Sequence, residues 1–360
     1  MPQSTHHLLG LMSGTSLDGL DIAYCQFTEQ QGRWSFTIPV AECLPYPPRL
    51  HHQLQEAIHV SAPELLVFDI EYGRWLGEQA QSFIKRHALS IDFIASHGHT
   101  VFHQPERGLT YQIGSGQALA NASGYPVVAD FRTKDVLLGG EGAPLVPLGD
   151  RELFGDYDFC LNLGGIANIS YETNGQRIAF DIAPANMLLN HLAQLAGRDF
   201  DIGGRIAASG HLQPSLFEHF NALPYYRQSP PKSLGYEWFT EELLPLLDHA
   251  PYSLADQLCT SVHHTAHQIT LAVQATAPVP GSTLLATGGG ARNEFLIDTL
   301  QSYLGEAATV IVPDPVILDF KEALVFAFLG LKRKRNEVNC LASVTGASSD
   351  NVGGVCFYPG

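Results

Sequence analysis

Apolar residues fall in short runs separated by glycine-rich turns, and the kinds of run set the fold class. Residues 8–12 are continuously apolar and lead into Ser13-Gly14-Thr15-Ser16-Leu17-Asp18-Gly19, a stretch dense in turn formers. Leu20, Ile22 and Tyr24 then alternate with Asp21, Ala23 and Cys25, the period of a half-buried strand. Together they predict a hairpin with Asp18-Gly19 in its turn. A looser echo follows: an apolar run at 159–163, then Gly164-Gly165, then a strand at 166–170. A third strand, 177–180, ends at Asp181.

Further short strands are predicted at 91–95, 111–113, 127–129, 284–287 and 310–313. Helical periodicity covers 61–88, a segment from Gln117, 187–196, 254–275, 293–303 and 321–335. The last of these is acidic at Glu322 and basic at its C-terminal end, as the helix dipole favours. Residues 133–147 are polar and glycine-rich, and predict a ligand loop and domain junction. Strands and helices alternate, so the class is α/β. At about 150 residues per domain, 360 residues predict two domains.

Charge narrows the partners. Only 16% of residues are charged, 20 basic against 36 acidic, for a net charge of −16. Neutralising phosphates over a surface takes a basic face, so nucleic acid and anionic membranes are excluded as partners. An anionic ligand must be held by backbone N–H groups and a few cations. The longest fully apolar run, 323–331, is far short of the ~20 residues of a membrane span. The N-terminus shows neither a basic region nor a long apolar stretch, so no signal peptide is expected. The six cysteines lack CxxC or zinc spacing and fit a reducing compartment. These features predict a soluble, cytoplasmic protein.

Three glycine loops stand at strand ends: 14–19, Gly164-Gly165 and Gly288-Gly289-Gly290. Any one reads most simply as a strand ending at glycine. Three together suit a polyphosphate, because glycine lets backbone N–H groups come close. The third is expected to open a helix, whose N-terminus favours anions. The absence of any Gly-Lys dipeptide excludes a Walker A loop, and neither GxGxxG spacing at the third loop nor a GxSxG elbow is present. Asp18 and Asp21 flank the first turn, either as hairpin chemistry or to order Mg²⁺ directly or through water. His263, His264 and His267 lack the glutamate of HExxH, so a polar helix face is preferred to a metal site. His97 and His99, with Ser96 and Thr100, form either a structural loop or a polar rim for sugar hydroxyls. Asp181 is either a cap or structural carboxylate, or a general base between two glycine loops.

Gly10-Leu-Met-Ser-Gly-Thr-Ser-Leu-Asp-Gly-Leu-Asp21 resembles the opening signature of the anhydro-N-acetylmuramic acid kinases. The likeness continues through Ser96-His-Gly-His-Thr100, Ala129-Asp-Phe-Arg132, Gly139-Gly-Glu-Gly-Ala-Pro-Leu-Val-Pro147 and Leu161-Asn-Leu-Gly-Gly-Ile-Ala-Asn-Ile169. It extends to Phe180-Asp181, Pro184-Ala-Asn186, Pro231-Lys-Ser233, Thr287-Gly-Gly-Gly290, Lys321-Glu-Ala323 and Val344-Thr-Gly-Ala347, and so spans nearly the whole chain.

The resemblance implies a two-lobed actin-like, sugar-kinase (ribonuclease H-like) fold with a nucleotide cleft between the lobes. The lobes are expected at 1–131 plus 343–360 and at 132–342. It implies an ATP- and Mg²⁺-dependent kinase that hydrolyses the 1,6-anhydro ring of 1,6-anhydro-N-acetylmuramic acid and phosphorylates O6. The product would be N-acetylmuramic acid 6-phosphate, in peptidoglycan recycling, made by a bacterial cytoplasmic homodimer. Asp181 would be the catalytic base. The nucleotide would be held by Gly14, Thr15, Ser16, Leu17, Asp18, Gly19, Leu20, Asp21, Gly164, Gly165, Asn168, Gly288, Gly289 and Gly290, with Asp18 at the metal. His97, Thr100, Arg132 and Glu322 would bind the sugar, Arg132 offering a bidentate fork to its lactyl carboxylate. One carboxylate suffices, because the γ-phosphoryl group takes the oxygen that an inverting glycosidase would protonate with a second acid. Three places depart from the family's usual residues: Ile182-Ala183 for Thr-Gly, His99 for Gln and Leu234 for Thr. Two other readings are a sugar kinase acting on a free hydroxyl and a non-catalytic ATP-binding sensor.

Overall fold

The computed structural model describes residues 5–15, 17–248 and 250–360. In chain order the strands are β1 (Thr5–Ser13), β2 (Leu20–Gln30), β3 (Arg33–Leu44), β4 (Phe93–Ser96), β5 (His99–Gln104), β6 (Leu109–Ile113) and β7 (Val127–Ala129). They continue with β8 (Phe159–Leu163), β9 (Ile166–Thr173), β10 (Gln176–Pro184), β11 (Ser282–Thr287), β12 (Ala308–Ile311) and β13 (Val355–Phe357).

The chain forms two compact units, Met1–Leu153 with Phe320–Gly360, and Phe154–Asp319. The first holds a six-stranded sheet in the order β13-β7-β4-β1-β2-β3. Strands β1, β2 and β3 form an antiparallel meander, while β4 runs parallel to β1 and β7 parallel to β4. The second holds β10-β9-β8-β11-β12. There β8, β9 and β10 are the antiparallel meander, and β11 and β12 are added parallel. Each unit therefore contains the same five-strand arrangement. The echo in the sequence is an echo of topology.

Helices on both faces of the first sheet explain why β1 reads as a continuous apolar run rather than an alternation. Helix Ala62–Arg86 buries Phe68, Tyr72, Leu76 and Phe83 in one core with Leu9 and Leu11. It begins at a capping box, with the Ser61 N–H 3.1 Å from Glu64 Oε2. The opposite face is covered from residue 321 onward by helix Pro315–Lys334, where Phe328 meets Phe27 at 5.4 Å between ring centres. At Gly10 a Cβ would lie 2.0 Å from the Ala323 carbonyl oxygen, so only glycine lets that helix approach. In the second unit, helix Leu254–Gln274 packs Leu258, Val262, Ala266, Ile269 and Val273 into the core.

Several elements differ from the sequence reading. The units divide at 153/154 and 319/320 rather than at 131/132 and 342/343. Segments 132–153 and 320–342 belong to the first unit because the apolar run 323–331 covers its sheet. Residues 133–147 are not all loop: helices Thr133–Leu137 and Val146–Leu153 bracket a shorter one. The last long helix starts at Pro315 rather than 321. β3 has no counterpart in the reading, because an edge strand stays half-exposed and shows no concentrated apolar face. Among the described residues no helix is long and apolar enough to cross a membrane.

Candidate active site

In the first unit, β1 and β2 pair up to Ser13 and Leu20, so the first glycine loop is the predicted hairpin turn. Leu17 takes a positive φ of 60°, and its N–H reaches Gly14 O at 3.4 Å. Gly19 is required by close approach, since a Cβ would lie 2.7 Å from both Leu44 O and Cys43 Sγ. Thr15 and Asp18 are exposed, Gly14, Leu17 and Asp21 half-buried, and Ser16 lies outside the described residues. The Leu20 side chain is fully buried in the core, which leaves only its backbone for a ligand. The turn is anchored at Ser13, whose Oγ accepts from Tyr46 OH at 2.7 Å and Tyr72 OH at 2.9 Å. His99 Nδ1 lies 3.3 Å from the same oxygen.

His97 and Arg132, 35 residues apart, form one hydrogen-bonded pair. The His97 Nδ1–H donates to Gly98 O at 2.8 Å, which leaves Nε2 to accept from Arg132 Nε at 3.1 Å and Nη2 at 2.8 Å. Burial first, and then the Arg132 charge, push the imidazole down to about 3, so it is neutral. Arg132 Nη1 donates to Gly142 O at 2.7 Å. Burial lowers the guanidinium to about 10 against the pull of Glu322, and it remains cationic. Of the five N–H donors of an arginine, these bonds take three. The Nε/Nη2 edge faces His97, so a carboxylate would meet the remaining pair rather than that fork. Thr100 Oγ1 accepts from Gln112 Nε2 at 3.3 Å. Glu322 keeps an exposed side chain. Crowding around its carboxyl pushes it up, opposed by Arg132 and Lys321 and reinforced by Asp18.

In the second unit, Gly164 and Gly165 form the β8–β9 turn. Their carbonyls accept from the Asn186 N–H at 3.0 Å and from those of Ala185 and Met187 at 2.9 and 3.0 Å. The turn is thus tied to the start of helix Asn186–Leu195. Gly288 packs on the same place: with φ of 82°, it would put a Cβ 2.5 Å from Asn162 Oδ1. Gly289 begins a 3-10 turn, Gly289–Arg292, so the third loop does not open the helix directly. That helix, Glu294–Leu304, is capped by Asn293, whose Oδ1 accepts from Leu296 N at 3.0 Å. Strand register sets Thr287, Asn162, Asn168 and Asp181 opposite one another, in a row across β11, β8, β9 and β10. The second and third glycine loops, Asn168 and Asp181 therefore share one end of one sheet.

Asp181 sits inside β10, just before a bulge between it and Ala183. It is not a helix cap: the following helix is preceded by Ala185, and the Asp181 carboxylate accepts instead from the Leu234 N–H at 2.9 Å. Tyr225 OH donates to its carbonyl at 2.6 Å, and its own N–H donates to Lys232 O at 3.2 Å. One segment, 225–234, clamps this residue at three atoms. Burial pushes the carboxyl above the usual aspartate value, with the Leu234 N–H opposing. Tyr226 behind it meets His264 Nε2 at 2.9 Å, and the other His264 nitrogen meets Asn221 Oδ1 at 2.8 Å. His264 is fully buried and neutral, pushed to about 3 by burial, whereas His263 meets Tyr303. Among the described residues no three His, Cys, Asp or Glu side chains form a metal cluster.

The departures at 182–183 are core positions: Ile182 and Ala183 are both buried. The contributions of Tyr225, Leu234 and Gly142 escape the sequence reading, because they are a remote hydroxyl, a main-chain N–H and a main-chain carbonyl. No local pattern marks such groups.

Two units with one shared sheet topology, each with a glycine turn in its first hairpin, define a two-lobed α/β protein of the actin-like, sugar-kinase fold class. A family model described as anhydro-N-acetylmuramic acid kinase matches residues 6–359. The chain belongs to the anhydro-N-acetylmuramic acid kinase family and is an enzyme of that family, whose kinase chemistry uses ATP. A relative of that name from Gloeobacter violaceus is 36% identical over 362 residues, covering 94% of this chain and 95% of its own. One from Chromobacterium violaceum is 36% identical over 373 residues and covers 98% of both. Among solved structures, an activator of 2-hydroxyisocaproyl-CoA dehydratase from Clostridium difficile with bound ADPNP aligns at TM-score 0.42 and 12% identity, over 91% of this chain and 97% of its own. Component A of (R)-2-hydroxyglutaryl-CoA dehydratase from Acidaminococcus fermentans aligns at 0.46 and 11%, over 89% and 96%.

Proposed function

We propose that this chain transfers the γ-phosphoryl group of ATP to O6 of 1,6-anhydro-N-acetylmuramic acid while water opens the anhydro bridge. The product is N-acetylmuramic acid 6-phosphate, as peptidoglycan recycling requires. The observation that carries this reading is Asp181: a half-buried carboxylate, raised by burial, clamped at three atoms and in register with Asn168 beside two glycine loops. In this reading Asp181 takes a proton from the water. The water oxygen bonds to C1, the C1–O6 bond breaks, and O6 bonds to phosphorus as the bond to ADP breaks. No second acid is required, because the oxygen leaving C1 goes to phosphorus.

Arg132, held against neutral His97, offers its remaining N–H pair to the lactyl carboxylate, with Thr100 and Glu322 orienting hydroxyls. Backbone N–H groups of the turn at 14–21, and of Gly164, Gly165 and Gly288–Gly290, hold the phosphates with Asn168. Asp18 fits Mg²⁺: it is an exposed hard oxygen donor, close enough to Glu322 for the two charges to oppose each other. When bound, the ion neutralises phosphate charge. The reading carries a cytoplasmic homodimer whose partners are ATP and the amino sugar, with no nucleic acid or membrane; sedimentation tests the dimer. Mass spectrometry of the product made from ATP and the anhydro-sugar tests the chemistry. Gain of one phosphoryl unit plus one water is expected. Gain of the phosphoryl unit alone would point to a kinase acting on a free hydroxyl, and no sugar-dependent ATP loss to a sensor.

A further inference from the structure

Asp135 is fully buried. Its Oδ1 accepts from Thr345 Oγ1, Asn351 Nδ2 and Cys340 Sγ, each at 2.9 Å. Its Oδ2 accepts from the Gly142 N–H at 2.8 Å. Four donors, one from seven residues on and three from the distant segment 340–351, therefore converge on one buried carboxylate. A buried charge robbed of partners is costly, so such a group holds its donors firmly. One of these donors matters to the sugar side. Gly142 gives its N–H to Asp135 and its carbonyl to Arg132 Nη1 at 2.7 Å. It does so at φ of 67°, where a Cβ would also come within 2.6 Å of Val136 Cγ2, so glycine is needed. Arg132 is thus held on one edge by His97 and at Nη1 by a carbonyl whose place Asp135 sets.

We propose that Asp135 is a positioning residue for Arg132: its carboxylate fixes Gly142, and Gly142 aims the guanidinium at the carboxylate of the amino sugar. This deepens the proposed function and rests on Arg132 as a sugar ligand. Asp135→Asn separates the two ends of the carboxylate. Its single oxygen still accepts from Thr345, Asn351 and Cys340, while its amide turns N–H groups toward the Gly142 N–H.

The test is steady-state kinetics in both substrates, for the wild type and for Asp135→Asn, Thr345→Val and Arg132→Lys. Asp135→Asn should raise KM for the sugar by about tenfold, the worth of one misplaced charge-assisted hydrogen bond, and leave KM for ATP within about twofold. Thr345→Val, which removes a donor without touching Gly142, should lower the melting temperature and leave both KM values in place. A merely structural Asp135 would give Asp135→Asn that same pattern, and this would overturn the proposal if Arg132→Lys still raised the sugar KM. An unchanged sugar KM in Arg132→Lys would instead sink the sugar-ligand reading, and the positioning role with it. Should Asp135→Asn fail to fold, Gly142→Ala displaces the same carbonyl through backbone strain and is read by the same split.

Discussion

The main-chain N–H of Leu234 lies 2.9 Å from Oδ2 of Asp181. The donor is backbone, so leucine in place of the family's usual threonine leaves this bond intact, and its side chain is buried. The bond favours the charged carboxylate, while burial, the larger influence, disfavours it. The result is an aspartate whose proton affinity is lifted toward the range a general base uses.

Asp181→Asn should lower turnover by roughly 10²–10⁴-fold, the usual worth of a positioned base. ATP affinity, measured by calorimetry, should stay near that of the wild type. Stability should not fall at neutral pH. A carboxyl raised in the folded state contributes stability fully below the ordinary aspartate value and loses it as pH rises through the folded value. The ionised carboxylate is therefore a cost that the amide removes. A variant that melts earlier yet keeps its activity would show Asp181 to be structural.

The acid limb of kcat against pH should lie above the ordinary aspartate range, because burial raises Asp181. Burial holds His97 and His99 down at about 3 and about 4, so neither adds a step near neutral pH. The limb should vanish in Asp181→Asn when residual turnover is followed. A limb that survives that substitution belongs to another group.

Gly165→Ala separates ligand approach from folding. Gly165 is exposed, and an added Cβ there meets nothing nearer than Met187 at 3.9 Å. Melting should be unchanged, while KM for ATP should rise about tenfold if the phosphates come against this backbone. An unchanged KM for ATP would remove this turn from the nucleotide site.

Tyr225→Phe deletes the hydroxyl that donates to the Asp181 carbonyl at 2.6 Å. An unpaired buried acceptor costs about 1–3 kcal/mol, so melting should fall. If Asp181 is the base, kcat should also fall, with KM for ATP unmoved. Loss of stability with full kcat would show that the hydroxyl is needed only for folding.

What the chain determined locally, it made legible. The strand–turn–strand at 8–25 follows from a period of two and a run of turn formers, and β1 and β2 pair there as expected. The same holds for the β8–β9 turn and for helices Ala62–Arg86 and Leu254–Gln274. Glycines at strand ends marked the loops, and a lone aspartate ending an apolar strand marked Asp181. Whether that aspartate capped a helix or served as a base was undecidable from sequence, because the next helix begins only five residues on, at Asn186. Tertiary structure removed the cap alternative: the helix is preceded by Ala185, while Leu234, 53 residues away, comes to the carboxylate and Tyr225, 44 residues away, to the carbonyl. It likewise turned Arg132 from an open fork into a group half-engaged by His97 and Gly142, and gathered Thr345, Asn351 and Cys340 around Asp135. Backbone preference and amphipathic period act over a few residues, so a sequence displays them directly. Burial, proton affinity and the satisfaction of a carboxylate depend on atoms from remote segments that meet only when the chain is packed.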